Sequence, residues 1–102
     1  KHAMVGLTRT VALELAATAI TCNAICPGLM ATDSALDRVA ALAAEKGIGE
    51  DEATALFLST RQPGGKFIPM ETVIALAQFL CGPASQGING AAIPVDNGWS
   101  FA

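Results

Sequence analysis

The chain has 102 residues, of which 52% are hydrophobic and 15% charged, and its formal net charge is -3. This composition is too apolar for a disordered chain, and no segment approaches the roughly 18 consecutive apolar residues that a membrane helix needs. Without a basic run to neutralise phosphates, we expect neither nucleic acid nor a membrane as a partner. The three cysteines, Cys22, Cys26 and Cys81, form no CxxC pair and predict a reduced, cytoplasmic protein.

The first predicted element is an amphipathic, mostly buried helix that runs from the opening residues to near Thr18. Its apolar stripe is carried by Val5, Leu7, Val11, Leu13 and Leu15. No Ser, Thr, Asp or Asn precedes this helix to cap its first N–H groups. We therefore expect the helix to begin upstream of Lys1.

Two short apolar runs predict strands. Residues 20–26, "ITCNAIC", are typical of a strand that is buried on both faces and stops at Pro27-Gly28. Residues 90–98, "GAAIPVDNG", predict a second strand, and Pro94 places it at or near a sheet edge because proline cannot donate to the ladder. A helix that leads directly into a strand buried on both faces indicates an α/β fold with a parallel sheet.

The residues between the two strands predict three helices. Segments 34–46 and 50–61 are charged and alanine-rich, and Gly47-Ile48-Gly49 between them predicts a helical hairpin on the surface. Residues 71–81 form a more apolar helix that ends at Gly82-Pro83 and returns the chain to the second strand. Because two strands alone make a marginal sheet, we interpret the chain as half of a larger α/β domain.

The segment Pro27–Thr32 is the candidate ligand site, since ligands of open α/β sheets bind beyond the carboxyl ends of the strands. A Pro-Gly turn lets the backbone of Leu29 and Met30 approach a flat ligand, and the Thr32 hydroxyl can both donate and accept. The alternative is an ordinary loop in which Thr32 or Asp33 caps the next helix. The residues alone leave both interpretations open.

Three segments of this chain resemble the short-chain dehydrogenase/reductase family. "NAICPGLMAT" and "INGAAIPVDNGW" are similar to motifs at the end of the family's nucleotide-binding sheet. "KHAMVGLTRTVALELA" resembles the family's sequence from the lysine of its Tyr-x-x-x-Lys signature onward, with Lys1 as that lysine. The resemblance implies that residues 1–102 are one partial dinucleotide-binding domain, the C-terminal part of a Rossmann-type doubly wound parallel sheet, with a helical substrate lid at about 33–65.

The resemblance also implies an oxidoreductase that uses NAD, with NADP as the alternative, and no metal. Lys1 would be catalytic, because in the family this ammonium lowers the pKa of the tyrosine proton donor and hydrogen-bonds the nicotinamide ribose. The nicotinamide carboxamide would be held by Pro27, Gly28, Met30 and Thr32. The chain contains no tyrosine and no Gly-rich phosphate turn, so we expect it to be inactive on its own. The resemblance further implies that the full-length form is a homotetramer.

Within that family, "ALAAEKGIGEDEATALFLSTRQPGGKF" and "VDNGWSFA" most resemble the (R)-3-hydroxybutyrate dehydrogenases. The resemblance implies a small 3-hydroxy acid substrate, contacted by Leu29, Arg38 and Trp99. Leu29 and Arg38 stand where those enzymes commonly have Trp and Gln, and Asn97 replaces the first Gly of the usual Asp-Gly-Gly. Two alternatives stay open: a reductase of 3-oxoacyl thioesters or other carbonyl compounds, and a catalytically inactive remnant that acts through subunit contacts.

Overall fold

The computed structural model describes residues 1–101, and this part of the chain is an α/β structure with four helices and two strands. In chain order the elements are α1 His2–Glu14, β1 Ala24–Pro27, α2 Asp33–Lys46, α3 Glu50–Ser59, α4 Met70–Cys81 and β2 Ala92–Val95, with 3-10 turns at Pro83–Ser85 and Trp99–Phe101. No helix among these residues is both long and apolar enough to cross a bilayer. The chain divides into two compact units, which are residues 1–26 with 71–94, and residues 27–70 with the segment from Val95 onward.

Strands β1 and β2 pair in parallel, as predicted. The Ala24 N–H donates to the Ala91 carbonyl at 2.8 Å, and the Gly28 N–H donates to the Val95 carbonyl at 3.0 Å, so both partners advance in the same direction. Pro94 is exposed in β2, in agreement with its predicted position at a sheet edge. The carboxyl end of β1 therefore leads into the segment that the sequence identified as the candidate ligand site.

The first strand begins later than predicted, at Ala24 and not at residue 20, because asparagine side chains replace much of the backbone ladder there. The Asn23 side chain donates to the Ile88 carbonyl at 2.8 Å and accepts from the Ala91 N–H at 3.0 Å. The Asn89 side chain accepts from the Cys22 N–H at 2.9 Å. These contacts hold the two segments together without regular strand geometry.

Helix α1 ends at Glu14, four residues before the predicted end near Thr18. The Thr18 hydroxyl donates to the Leu15 carbonyl at 2.7 Å and accepts from the Ile20 N–H at 3.1 Å. Such local side-chain bonds compete with the helical pattern and turn the chain out of the helix. At the other end, Lys1 precedes the helix and makes no side-chain capping bond, as the sequence predicted.

The α2–α3 hairpin forms with the predicted boundaries to within two residues. Thr32 caps α2 at its start, and Gly47 ends it in the left-handed conformation with φ 63°. Helix α3 carries three acidic residues in its first turn, where the positive end of the helix dipole stabilises their negative charge. The helix ends at Ser59. Val39, Ala53 and Leu58 are almost fully buried and form the apolar core of this unit.

Helices α1 and α4 expose several large apolar side chains. Met4, Leu7 and Leu13 of α1 and Ile74 and Phe79 of α4 are all exposed. None of the twelve described residues of α4 is buried, although the helix is strongly apolar. The homotetramer that the resemblance implies for the full-length form remains a prediction.

We predict that Asn23→Ala lowers the free energy of unfolding by about 1 kcal/mol, because the Ile88 carbonyl and the Ala91 N–H each lose a partner. Urea denaturation of the protein measures this change. The matched control is Gln86→Ala, which removes an exposed amide and should change the free energy of unfolding by less than about 0.5 kcal/mol. Equal stability of both variants would show that the asparagine contacts do not stabilise the strand pair.

Candidate active site

The segment that leaves β1 lines a cavity of about 260 Å³ together with the α2–α3 hairpin. The wall of this cavity includes Gly28, Leu29, Met30, Thr32, Arg38 and Phe57. Five of these six were predicted from the sequence to contact cofactor or substrate, and the structure brings those five together at one opening. Phe57 was not predicted.

Thr32 is the N-cap of α2. Its hydroxyl oxygen accepts from the Ala35 N–H at 3.4 Å, so the predicted capping role is confirmed. As an acceptor in that bond the hydroxyl keeps its own proton, which can be donated into the cavity that Thr32 lines. Capping and ligand binding are therefore compatible at this residue.

Gln62 is a fully buried residue whose role the sequence did not predict. Its side-chain carbonyl accepts from the Leu29 N–H, and its side-chain amide donates to the Lys66 carbonyl at 2.6 Å. The Leu29 carbonyl in turn accepts from the Ile68 N–H at 2.8 Å. The Leu29 N–H is thus committed within the chain and cannot bind a ligand, contrary to the expectation that the backbone here faces one.

Glycine is required at position 28 because Asp96 and the Gln62 side chain approach it closely. A Cβ atom at this position would lie 2.9 Å from Asp96 Cα and 3.0 Å from Asp96 Cβ, and it would also collide with the Gln62 side-chain carbonyl. Both distances are shorter than ordinary carbon contacts, so any larger residue must displace the backbone at the start of the loop. The Pro-Gly turn therefore fixes the position of the loop relative to Gln62 and Asp96.

Asp96 organises the turn after β2. Its carboxylate accepts from the Gly98 N–H at 3.1 Å, the Ser100 N–H at 2.9 Å and the Ser100 hydroxyl at 2.5 Å. The hydrogen bond from the Ser100 hydroxyl, helped by the backbone N–H groups of Ser100 and Gly98, holds the pKa of Asp96 below its ordinary value of 3.8, although burial opposes this. The ionised side chain thereby fixes the 3-10 turn that carries Trp99.

Asn97 adopts a left-handed backbone with φ 52°, and its side-chain amide donates to the Lys66 carbonyl at 3.0 Å. Asparagine is among the few residues other than glycine that tolerate this conformation. The departure from the Asp-Gly-Gly pattern noted in the sequence is therefore accommodated. It also adds a contact that glycine could not make.

The remaining predicted site residues, Pro27, Trp99 and Lys1, do not line this cavity, and Pro27 is exposed at the end of β1. Trp99 belongs to the same unit as the cavity but does not line it, and its side chain is 40% exposed. Lys1 is exposed and belongs to the other unit. In the described residues no group of three or more His, Cys, Asp and Glu side chains is arranged to hold a metal ion. The roles assigned to Lys1 and Trp99 remain predictions.

Arg38 and Phe57 form a cation–π pair at the edge of the cavity. The Arg38 guanidinium carbon lies 5.3 Å from the centre of the Phe57 ring. The Phe57 ring also packs against Phe67, with 6.3 Å between ring centres and an angle of 41° between the rings. A charged side chain on a flexible stem is thus placed against a ring that is itself held by a second ring.

A comparison with known proteins identifies the family. The family model described as enoyl-(acyl carrier protein) reductase matches residues 1–100. The chain belongs to the short-chain dehydrogenase/reductase family. A solved short-chain dehydrogenase family protein from Francisella tularensis aligns with all of this dehydrogenase/reductase chain at a TM-score of 0.86 and 29% identity, over 42% of its own length. The Rossmann-type fold predicted from the sequence is confirmed.

Two further relatives of this dehydrogenase/reductase chain have defined activities or ligands. The D-beta-hydroxybutyrate dehydrogenase of Cupriavidus necator is 39% identical over 97% of this chain, which corresponds to 38% of that enzyme. An actinorhodin polyketide ketoreductase variant solved with NADPH matches with a TM-score of 0.81 and 30% identity, over 99% of this chain and 38% of that protein. The chain thus spans about two-fifths of the length of these relatives.

We predict that Gln62→Leu destabilises the protein by about 2 kcal/mol, because the Leu29 N–H and the Lys66 carbonyl lose their shared partner while side-chain volume is nearly preserved. Gln62→Glu should destabilise at least as much, since a fully buried carboxylate would have to bury its charge against the Lys66 carbonyl oxygen or take up a proton. Urea unfolding measures both variants against Gln78→Leu, which changes an exposed glutamine. A Gln62→Leu protein as stable as the control would show that this bridge is unimportant.

We predict that Ser100→Ala raises the pKa of Asp96 towards its ordinary value, because the largest lowering contribution is removed. A lowered pKa in the folded state stabilises the protein above pH 3.8, and this stabilisation is lost as the pH falls through the folded-state pKa. The variant should therefore be less stable than the parent near neutral pH, and the difference should shrink below about pH 4. An NMR titration of the Asp96 side chain checks the shift, and an unchanged midpoint would contradict it.

Proposed function

We propose that this chain is the C-terminal part of an NAD(P)-dependent oxidoreductase that interconverts a small 3-hydroxy acid, such as 3-hydroxybutyrate, and its 3-oxo acid. The observation that carries the proposal is the cavity at the carboxyl end of β1, whose wall combines the Gly28–Thr32 loop with a cationic side chain, Arg38. The similarity to a D-beta-hydroxybutyrate dehydrogenase over 97% of the chain supports the choice of substrate.

In this proposal Pro27, Gly28, Met30 and Thr32 hold the nicotinamide carboxamide. The residues fit that group because Thr32 retains a hydroxyl proton to donate and lines the cavity together with Gly28 and Met30. A bound nicotinamide cofactor would accept the hydride when the hydroxy acid is oxidised and donate it when the oxo acid is reduced, and the protein would fix which ring face is presented. The expected cofactor is NAD, and the NADPH bound by the actinorhodin ketoreductase is the reason to test NADP as well.

Lys1 is proposed to be the signature lysine. Its ammonium would lower the pKa of a tyrosine proton donor and hydrogen-bond the cofactor ribose. That tyrosine is not among the residues of this chain, which contains none. Leu29, Arg38 and Trp99 are proposed to contact the substrate, and the α2–α3 hairpin within residues 33–65 would close over it and exclude water.

A second candidate is a reductase of 3-oxoacyl thioesters. Its support is that the matching family model is described as a reductase of an acyl group on acyl carrier protein, although of an enoyl and not a 3-oxoacyl group. The Arg38 side chain at the cavity argues for the free acid, because an ionised carboxylate gains from a guanidinium partner and a neutral thioester does not. A comparison of the acid with its thioester separates the two candidates.

The first experiment is the intact mass of the gene product from its own source, compared with the 10.4 kDa of this chain. A larger product with a tyrosine four residues before Lys1 supports the dehydrogenase. A product of 10.4 kDa would instead leave the chain without a proton donor and favour the inactive remnant that acts through subunit contacts.

For the larger product, we predict oxidation of (R)-3-hydroxybutyrate with NAD or NADP, measured by the absorbance of the reduced nicotinamide. Lys1→Ala should lower kcat about 100-fold or more, because general acid–base catalysis loses its pKa-lowering cation. The neighbouring His2→Ala is the matched control and should retain parent activity. Activity that survives Lys1→Ala unchanged would remove Lys1 from the proposed mechanism.

A further inference from the structure

We propose that Phe57 is a positioning residue that holds the Arg38 guanidinium at the cavity, and that this pair makes the site selective for substrates with a free carboxylate. The inference rests on the proposed function and deepens it, since it concerns the substrate class of the same cavity. Phe57 is thereby added to the proposed site, and Arg38 is assigned to bind the substrate carboxylate. Both residues lie on the α2–α3 hairpin.

Arg38 occupies a position from which it can meet a substrate. Its side chain lines the 260 Å³ cavity together with the Gly28–Thr32 loop, so the cation and the proposed carboxamide site share one opening. A guanidinium is always charged and presents paired N–H donors that match the two oxygens of a carboxylate. An uncharged ester or thioester offers neither the charge nor the matching pair of acceptors.

Without the Phe57 ring, the Arg38 side chain could adopt a different orientation. Arg38 and Phe57 also line a neighbouring cavity of about 320 Å³, and Glu45 lies on the wall of that cavity. The Arg38–Phe57 pair therefore forms the wall shared by the two cavities. An arginine freed from the ring could reach towards the Glu45 carboxylate and leave the proposed substrate site.

The Phe57 ring is itself fixed. It packs against Phe67, which lies beyond the end of α3 in the chain, with 6.3 Å between ring centres. The guanidinium carbon lies 5.3 Å from the Phe57 ring centre, within the range of an attractive cation–π contact. Because arginine loses considerable rotamer freedom when it binds a ligand, holding it in advance reduces the entropy lost on binding.

The cavity size is compatible with a small substrate. Its volume of about 260 Å³ is below the roughly 300–1,000 Å³ of sites for drug-sized ligands. A four-carbon acid places its carboxylate and its reacting carbon only a few bonds apart. The charged end and the reacting end of such a molecule would then both lie within reach of this one opening.

The test uses the complete gene product and compares 3-oxobutanoate with its methyl ester and its N-acetylcysteamine thioester. Arg38→Gln should raise KM for the acid about tenfold and leave KM for both esters unchanged, because only the acid loses a charged partner. Phe57→Leu should raise KM for the acid about two- to fivefold, and Phe57→Tyr should behave like the parent because it keeps the aromatic face. Lys46→Gln, which removes a positive charge at the end of the same helix, is the matched control.

Two further readouts separate positioning from a purely structural role. Adding Glu45→Gln to Phe57→Leu should recover part of the affinity for the acid, because the competing carboxylate is removed. Titration of the parent with butyrate, a carboxylate that cannot react, should shift the NMR signal of the Arg38 Nε–H group, whereas methyl butyrate should not. This binding measurement needs no turnover.

The possible results distinguish the two proposals. A product that reduces none of the three carbonyl compounds with either cofactor overturns the proposed function, and the butyrate titration then decides carboxylate recognition separately. A product that is active but whose Arg38→Gln and Phe57→Leu variants change KM for acid and esters equally overturns carboxylate selection by the pair. Preference of the parent for the thioester over the acid overturns it as well.

Discussion

The buried amide of Gln62 is the interaction on which the site depends most. It accepts from the N–H of Leu29, which lies just after β1 and 33 positions earlier in the sequence, and it donates to the Lys66 carbonyl, shortly before α4. A buried amide is favourable only while both of its ends are paired, so this one side chain requires both backbone segments to be in place. The loop that borders the cavity is therefore positioned by a polar contact within the chain, while Val39, Ala53 and Leu58 supply the apolar core of the hairpin.

A second polar group performs the same task at the end of β2. Asp96 takes up two backbone N–H groups and one hydroxyl group, and the space beside its backbone is closed to any side chain larger than glycine at position 28. Asn97 then supplies a further bond to the Lys66 carbonyl, the same atom that Gln62 binds. The Lys66 backbone carbonyl thus accepts two hydrogen bonds. One comes from Asn97 in the turn after β2, and the other comes from Gln62, which also binds the loop after β1.

The order of elements and most helix boundaries could be predicted from the sequence, because apolar periodicity and helix-ending residues such as Gly47 act locally. The predicted start of β1 and end of α1 were wrong, since Asn23 and Thr18 divert backbone hydrogen bonds through their side chains. The Pro-Gly step predicts the loop at 27–32 as a candidate site, and this loop does line a cavity.

Phe57 and the role of Gln62 could not be predicted in the same way. A phenylalanine in an amphipathic helix and a glutamine before a proline carry no local sign of their distant partners. The Arg61-Gln62-Pro63 step is part of the resemblance to the family, but the resemblance does not explain it. Only the fold shows that the Gln62 side chain spans from the Leu29 N–H to the Lys66 carbonyl.

The way the helical hairpin is attached has an evolutionary consequence. Its two ends are pinned near each other, by the Leu29–Gln62 bond and by a parallel bridge between Met30 and Ile68. A segment whose ends are fixed in this way can change in length and composition at little entropic penalty, because loop-closure entropy grows only slowly with length. The hairpin can therefore be lengthened, shortened or exchanged as one segment while the strands to which its ends are bonded keep their arrangement.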